Sequence, residues 1–347
     1  MNRLIVLRSG IDTLEATFTG KLSAEMIGAL DHDRIAAREE PMPWTINGRE
    51  FFIEPKGRGK YPYVLRNPDL DICLTTSAHI PTALVHLSAL GLATLGPEAL
   101  FDEAWHLAAE LGAPEEKRLS RIDVARDFQG GWVPVQADFD HVTCRAKKNR
   151  LNRSGTTVET ASYGERPMML RVYNKTLQAR EQKKGWWPVV WESCEGYDPS
   201  ADVWRVESEI ASAVLKQLGI DRAHDGIERA AHLLDYAMGS WCKLRTPTGD
   251  KIKSRWPEHP AWEQIRTAEY VGEPLKRARV VHELMSYDVA LAYLVTATAT
   301  GAARLGGATF QETVERMGFD AERMMEHKGI DFAARVNEQR YRIAKSG

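Results

Sequence analysis

The sequence predicts an α+β fold: a mainly antiparallel sheet with helices packed on one face, followed by a helical C-terminal region. Three observations carry that expectation. Segments 121–128, 169–176 and 204–210 alternate apolar and charged residues with the period of two that a half-covered strand requires. Residues 51–76 break into short strand-like pieces separated by turn chemistry, and beyond residue 210 the pattern becomes almost continuously helical.

Taken in order, residues 11–20 alternate well enough for a first strand closed by Gly20, and 22–39 reads as a helix that Pro41 and Pro43 end. Phe51–Glu54, Tyr63–Arg66 and Leu70–Thr75, set apart by Lys56-Gly-Arg-Gly-Lys60 and Asn67-Pro68, predict an antiparallel meander. Residues 81–92 and 97–111 carry helical spacing, the second with Pro97 near its start and Gly112 just past its end, as helix termini prefer. Strand 121–128 follows, then a helix over 138–148, a strand over 156–163, and the connection Gly164-Glu-Arg-Pro167 that makes a hairpin with the strand of Tyr173. A helix over 176–184 and a strand over 203–210 complete a first unit, residues 1–215. Helices over 211–218, 222–243, 258–268, 273–304 and 308–345 form the second, residues 216–347.

The 347 residues, 43% hydrophobic and 27% charged, are ordinary for a soluble globular protein. A formal net charge of −2 gives no global nucleic-acid signature, so any such partner must be read from local clusters. Cys73, Cys144, Cys194 and Cys242 stand far apart without a Cys-x-x-Cys pair, which predicts reduced thiols. The apolar run near residue 5 is too short for a signal peptide and no stretch approaches the roughly 20 apolar residues of a membrane span, so a cytoplasmic protein without membrane partners is expected.

The chemistry concentrates on the three alternating segments. Met169-Leu-Arg-Val-Tyr-Asn-Lys-Thr176 puts Arg171, Tyr173 and Lys175 on one strand face and turns Leu170 and Val172 to a core. A hydroxyl between two cations suits an anionic substrate; the plain alternative is a half-buried packing tyrosine whose cations pair with acids opposite. The neighbouring segments add Arg121, Asp123 and Asp127, and Arg205, Glu207 and Glu209, to an exposed polar face. At about 3.3 Å per residue, Asp123 and Asp127 stand roughly 13 Å apart and cannot share an ion. A metal site therefore bridges strands, with Asp123 and Glu207 as ligands and Glu209 as a further or water-mediated one; which of Asp127 and Glu209 belongs to the site is left open. Hard oxygen donors favour Mg²⁺ or Mn²⁺. The competing reading is a ladder of cross-strand ion pairs with Arg121 and Arg205.

Basic clusters point to DNA. Arg145, Lys147, Lys148, Arg150 and Arg153 fall within nine residues; Lys56, Arg58 and Lys60 lead into Tyr61 and Tyr63; Lys243, Arg245, Lys251, Lys253 and Arg255 lie between Trp241 and Trp256. Cations interleaved with aromatics suit phosphate contacts and base stacking on unpaired strands, although such a run can also be a solvated face. No Gly-x-x-x-x-Gly-Lys-Ser/Thr loop and no His-x-His or His-Glu-x-x-His pair is present, which argues against ATP hydrolysis and histidine-based metal chemistry.

In order and spacing, Arg121-Ile-Asp-Val-Ala-Arg-Asp127, Tyr163-Gly-Glu-Arg166 with Leu170-Arg-Val-Tyr-Asn-Lys175, and Trp204-Arg-Val-Glu-Ser-Glu209 resemble the replication initiation factor family. These are rolling-circle replication initiators of plasmids and some filamentous phages, with related conjugative relaxases. The resemblance covers roughly residues 11–215. It implies a metal-dependent nicking and closing enzyme in which Tyr173 becomes linked to a 5′ phosphate and releases a 3′ hydroxyl primer, Arg171 and Lys175 hold the phosphate, and the Asp123/Glu207 metal polarises it. Implied partners are origin DNA, single-stranded at the nick, with host helicase and polymerase; homodimer formation is left open. A conjugative relaxase, a non-catalytic DNA-binding regulator and a metal nuclease that uses water remain the alternatives.

Overall fold

The computed structural model describes residues 3–37, 40–269 and 309–334, with scattered positions between 294 and 303 and between 336 and 340. The expected helix over 273–304 therefore lies largely outside the described residues.

The fold is α+β, built on one eleven-stranded antiparallel sheet. Its strands are β1 (Ile5–Thr19), β2 (Met42–Ile46), β3 (Arg49–Ile53), β4 (Tyr63–Arg66), β5 (Leu70–Leu74), β6 (Ala83–Leu87), β7 (Glu115–Gln129), β9 (Asn149–Ser154), β10 (Thr157–Glu165), β11 (Met168–Asn174) and β12 (Trp204–Ala211). They run in the order β2-β3-β4-β5-β6-β1-β7-β12-β11-β10-β9. Two fifteen-residue strands, β1 and β7, form the centre; on one side lies the expected meander, on the other the hairpin β10/β11, joined to the centre only through β12. A separate short ladder pairs β8 (Val142–Cys144) with β13 (Cys242–Leu244).

One face of the sheet carries the main core. Leu14, Ala16 and Phe18 of β1, Ile122 and Val124 of β7, Leu170 and Val172 of β11, and Val206 and Ile210 of β12 are all buried in it. Helices α1 (Ala24–Ala37), α3 (Pro97–Glu110), α7 (Ser212–Gln217), α8 (Ala223–Glu228), α9 (Ala230–Asp235) and α10 (Pro260–Thr267) contribute to the same cluster through residues such as Leu30, Phe101, Leu215, Ile227, Leu233 and Ile265. The core thus runs on past residue 215, through a π-helical turn at Tyr236–Trp241 to Trp262. A smaller cluster of Leu7, Leu90, Ala93, Ala179, Trp186, Trp187, Val190, Trp191 and Val203 brings together β1 and the helices α2 (Ala89–Leu95), α5 (Lys175–Glu181) and α6 (Trp187–Glu192).

Local signals explain several boundaries. Pro97 occupies the first turn of α3, and Gly112 (φ 93°) closes its far end, where Ala113 N donates to Ala108 O. A Cβ on Gly112 would stand 2.5 Å from the carbonyl oxygen of Lys21, so only glycine lets α3 end against the β1–α1 connection. Two expectations differ from the structure. Residues 81–92 begin as strand β6, because Ala83, Val85 and Leu87 satisfy period two as well as helical spacing and pairing with β1 and β5 decides the matter; only then does Ser88 cap α2. Residues 138–148 are not a helix: α4 (Gln136–Asp140) is short and β8 pairs with a strand about 100 residues away, a partner that local periodicity cannot reveal. Beyond the described gap, α11 (Phe310–Lys328) is capped by the Thr309 hydroxyl and ended by Gly329 in the left-handed region.

Candidate active site

The register of β11, β12, β7 and β1 gathers the polar residues named from sequence on one face. Arg171 lies opposite Glu207, Tyr173 opposite Arg205, Glu209 opposite Asp123, and Arg205 opposite Asp127. Side chains of directly paired residues share a face, so Asp123 stands directly across from Glu209, with Glu207 two register positions along. The face is not exposed, contrary to expectation: Tyr173, Lys175, Asp123, Asp127, Arg205 and Glu207 are each at most 4% accessible. Helix α6 covers one end of it: Trp187 lies over Arg205 at 4.3 Å and over Lys175 at 4.7 Å, cation–π contacts that a desolvated cation favours.

Two charge clusters share the face. In the first, Arg205 is paired with Asp127 (2.5 and 2.8 Å) and with Asp12, and Trp191 Nε1 donates to Asp127 at 2.9 Å, so both Asp127 oxygens are held. In the second, Arg121 bridges Asp123 (2.5 Å) and Glu209 (3.1 Å), while Arg171 pairs with Glu207. Tyr173 joins them: its hydroxyl donates to Glu207 Oε2 at 2.6 Å and accepts from Lys175 Nζ at 3.3 Å. Lys175 is the first residue of α5 and also donates to Gln178 at 2.9 Å.

This environment shapes protonation. Burial, followed by the Glu207 carboxylate, raises the Tyr173 hydroxyl well above its ordinary value, against the pull of Arg205. The two cations flanking it in sequence therefore do not produce a resting phenolate; the hydrogen bond to Glu207 instead aims the proton at a base. Burial lowers Lys175 to about 8, with Arg205 adding to the effect and Asp12, Glu207 and Asp127 opposing it. Burial raises the Asp123 carboxyl, helped by Glu207 and Glu209 and resisted by Arg121.

The carboxylates of Asp123, Glu207 and Glu209 are the donors a hard divalent cation takes, and the like-charge pressure on Asp123 is what such a cation would relieve. Their oxygens now face Arg121 and Arg171, and among the described residues no group of three or more acidic, His or Cys side chains is arranged as a ready metal cage. A cation here would share the acids with the guanidinium groups. Arg171 Nε is buried without an acceptor, a polar atom left unsatisfied beside the acids.

Sequence reasoning missed Asp12 and Trp187. Simple alternation places Asp12 with Leu14, but a bulge between Ile11 and Thr13 puts Asp12 on the same side as Arg205. The Trp186-Trp187 pair was the legible signal for α6, without any local sign of where it docks.

The basic run Arg145, Lys147, Lys148, Arg150 and Arg153 is exposed and leads into β9, an edge strand of the sheet. Lys148 pairs with Glu165 at 2.6 Å and Arg153 donates to Gln136. Arg150 lies opposite Ser162, Ser162 opposite Arg171 and Arg171 opposite Glu207, so one cross-strand row leads from the exposed edge to the site. The other basic stretches are largely engaged locally: Arg58 with Glu15 and Asp71, Lys243 with Glu258, Arg255 with Asp250.

No family model matches the chain. It is 26% identical over 246 residues to an uncharacterized protein, ORF430, of Pseudomonas phage Pf1, which takes in 61% of this chain and 55% of that protein. The chain thus spans about half the length of this curated relative. Among solved structures it is similar to a rolling circle replication initiator protein from Geobacillus stearothermophilus, at 20% identity and a TM-score of 0.47, covering 77% of this chain and 99% of that one. Among the described residues no helix is long and apolar enough to cross a membrane.

Proposed function

We propose that this chain is a DNA-nicking and rejoining enzyme of the rolling-circle initiator type, with Tyr173 as nucleophile. The observation that carries this reading is the buried Tyr173–Glu207 hydrogen bond of 2.6 Å, with Lys175 on the same hydroxyl and Arg171 on the same carboxylate. A packing tyrosine has no need of a desolvated carboxylate and a buried lysine on its oxygen.

In the reaction, a backbone phosphate enters beside Arg171, whose partly exposed guanidinium binds the non-bridging oxygens. Glu207 takes the phenolic proton as the Tyr173 oxygen forms its bond to phosphorus. The bond from phosphorus to the 3′ oxygen breaks, its electron pair leaving with that oxygen, which is protonated to the 3′ hydroxyl primer. Lys175 supplies positive charge beside the attacking oxygen. The resulting 5′-phosphotyrosine conserves the phosphodiester energy, and reversal rejoins the strand without ATP. A Mg²⁺ or Mn²⁺ ion held by Asp123, Glu207 and Glu209 would add charge neutralisation at the phosphate. Asp127 serves instead to fix Arg205. The basic edge at β9 delivers the DNA, and the described helices beyond residue 215, α8 to α11, serve origin contacts or dimerisation.

The test is incubation with supercoiled plasmid carrying the cognate origin and Mn²⁺ or Mg²⁺, read on a denaturing gel for nicked DNA and a protein–DNA adduct. The intact protein gives both and Tyr173→Phe gives neither. Nicking that persists in Tyr173→Phe, with no adduct from either protein, would move the assignment to a nuclease that uses water.

A further inference from the structure

Beside the helices that follow the Tyr173 strand lies a second concavity that the nicking chemistry leaves unused. A cavity of about 540 Å³ is walled by α5, α6 and the segment leading to β12, with Arg180, Lys183, Lys184, Trp191 and Tyr197 among its lining. Its size suits a ligand of nucleotide scale. Among the described residues, Arg180 and Lys183 make no ion pair within 4 Å and are exposed, so their charges are available. Tyr197 is partly exposed and stands 6.2 Å from Trp191, leaving an aromatic corner beside the cations. The floor is coupled to the nucleophile's strand: Asp202, which lines the cavity, accepts from Asn174 Nδ2 at 2.7 Å, and Asn174 follows Tyr173.

One backbone detail adds weight. Lys183 ends α5 at φ 55°, the left-handed position where helices prefer glycine, with Lys184 N donating to Ala179 O. A lysine there is conformationally unfavourable, yet it keeps a cation at the cavity rim.

We propose that this cavity seats one nucleotide of the single strand that Tyr173 cuts, its base against Tyr197 and its phosphate among Arg180, Lys183 and Lys184. The proposal rests on the reading of Tyr173 as a DNA-attacking residue and assigns that site a neighbouring position for the strand. The shared chemistry, a base with a phosphate, could also come from a free nucleotide.

The experiment uses the full chain carrying Tyr173→Phe and a single-stranded oligonucleotide from the origin containing 5-iododeoxyuridine, with photocrosslinks mapped by mass spectrometry and affinity measured against salt. Crosslinks should fall on the peptide spanning residues 176–202. Tyr197→Ala should weaken binding roughly 5- to 30-fold. Lys183→Gly should lower the slope of log affinity against log salt by about 0.7 while raising Tm, a combination that a purely structural lysine does not give. Crosslinks confined to the β9 edge, or unchanged affinity in both variants, overturn the nucleotide seat while leaving the nicking reading intact. Displacement of the oligonucleotide by a free deoxynucleoside monophosphate at similar concentration overturns the strand as its source. Absence of any crosslink, together with absence of an adduct from the unsubstituted protein, sinks both.

Discussion

Tyr173 and Glu207 sit on adjacent antiparallel strands, two register positions apart, and the phenol donates to the carboxylate at 2.6 Å. The pair is offset rather than opposite, so Glu207 also reaches Arg171, its direct partner. Glu207→Gln preserves shape but removes the proton acceptor. Adduct formation by the folded protein should fall about 10²- to 10⁴-fold, and losing the buried charge beside Arg171 should also lower the unfolding midpoint in urea. An unchanged single-turnover rate would remove Glu207 from the role of base.

Lys175 gives a signed dependence on pH. Folding lowers it from 10.5 to about 8, so below about pH 8 it is charged in both states and the native state bears the full burial cost. Between about 8 and 10.5 the unfolded chain binds more protons than the native one, and stability rises with pH. At about 1.4 kcal/mol per tenfold change this amounts to as much as ~3 kcal/mol. Urea unfolding at pH 7.5 and pH 10 should therefore show the unsubstituted protein gaining on Lys175→Met. A gap that stays constant would mean that Lys175 titrates normally.

Trp187 is 2% accessible and covers both Arg205 and Lys175. Trp187→Ala should cost about 3–5 kcal/mol in equilibrium unfolding, by the usual scale for removing a buried indole. It should also open the polar row to reagents. Nitration by tetranitromethane, mapped by peptide mass, is expected at Tyr173 in the variant and not in the unsubstituted protein.

Arg126 has a different part. Its guanidinium crosses to the core face, takes Ser9 Oγ at 2.9 Å, and donates to the main-chain oxygens of Ile265, Arg266 and Ala268 at the end of α10. Arg126→Met leaves those carbonyls without this donor. A loss of about 2–4 kcal/mol is expected, read by thermal unfolding.

The edge strand makes a prediction about binding alone. Arg150→Glu should weaken binding to single-stranded DNA and reduce its salt dependence, with Tm unchanged, because the side chain is exposed and its backbone pairing with Ser162 is kept. Equal affinity at low salt for both proteins would exclude this row as the approach to Tyr173.

Much of the site was legible because strands write their faces into the sequence. Arg171, Tyr173, Asp123, Glu207 and Glu209 each obey period two, and cross-strand pairing then brings them together. What alternation hides is whatever interrupts it or arrives from elsewhere. The bulge before Thr13 rotates Asp12 into the charge cluster, and α6 covers a face that the strands alone would leave wet. Strand β6 was lost because Ala83 and Leu87 fit both periods. Residues 222–243 and 258–268 read as helices, but their place in the same core was not legible, since nothing in a helix's own pattern states which sheet it will cover.

Strand β12 enters the sheet between β7 and β11, both of which precede it in sequence, and among the described residues it alone links the β9–β11 group to the rest of the sheet. A chain still emerging from the ribosome can close the meander and pair β1 with β7 before residue 204 is made. It cannot bring Tyr173 to Glu207. The two halves of this hydrogen bond therefore meet only once β12 has been made, and a chain interrupted during synthesis before β12 carries the phenol without the carboxylate it donates to.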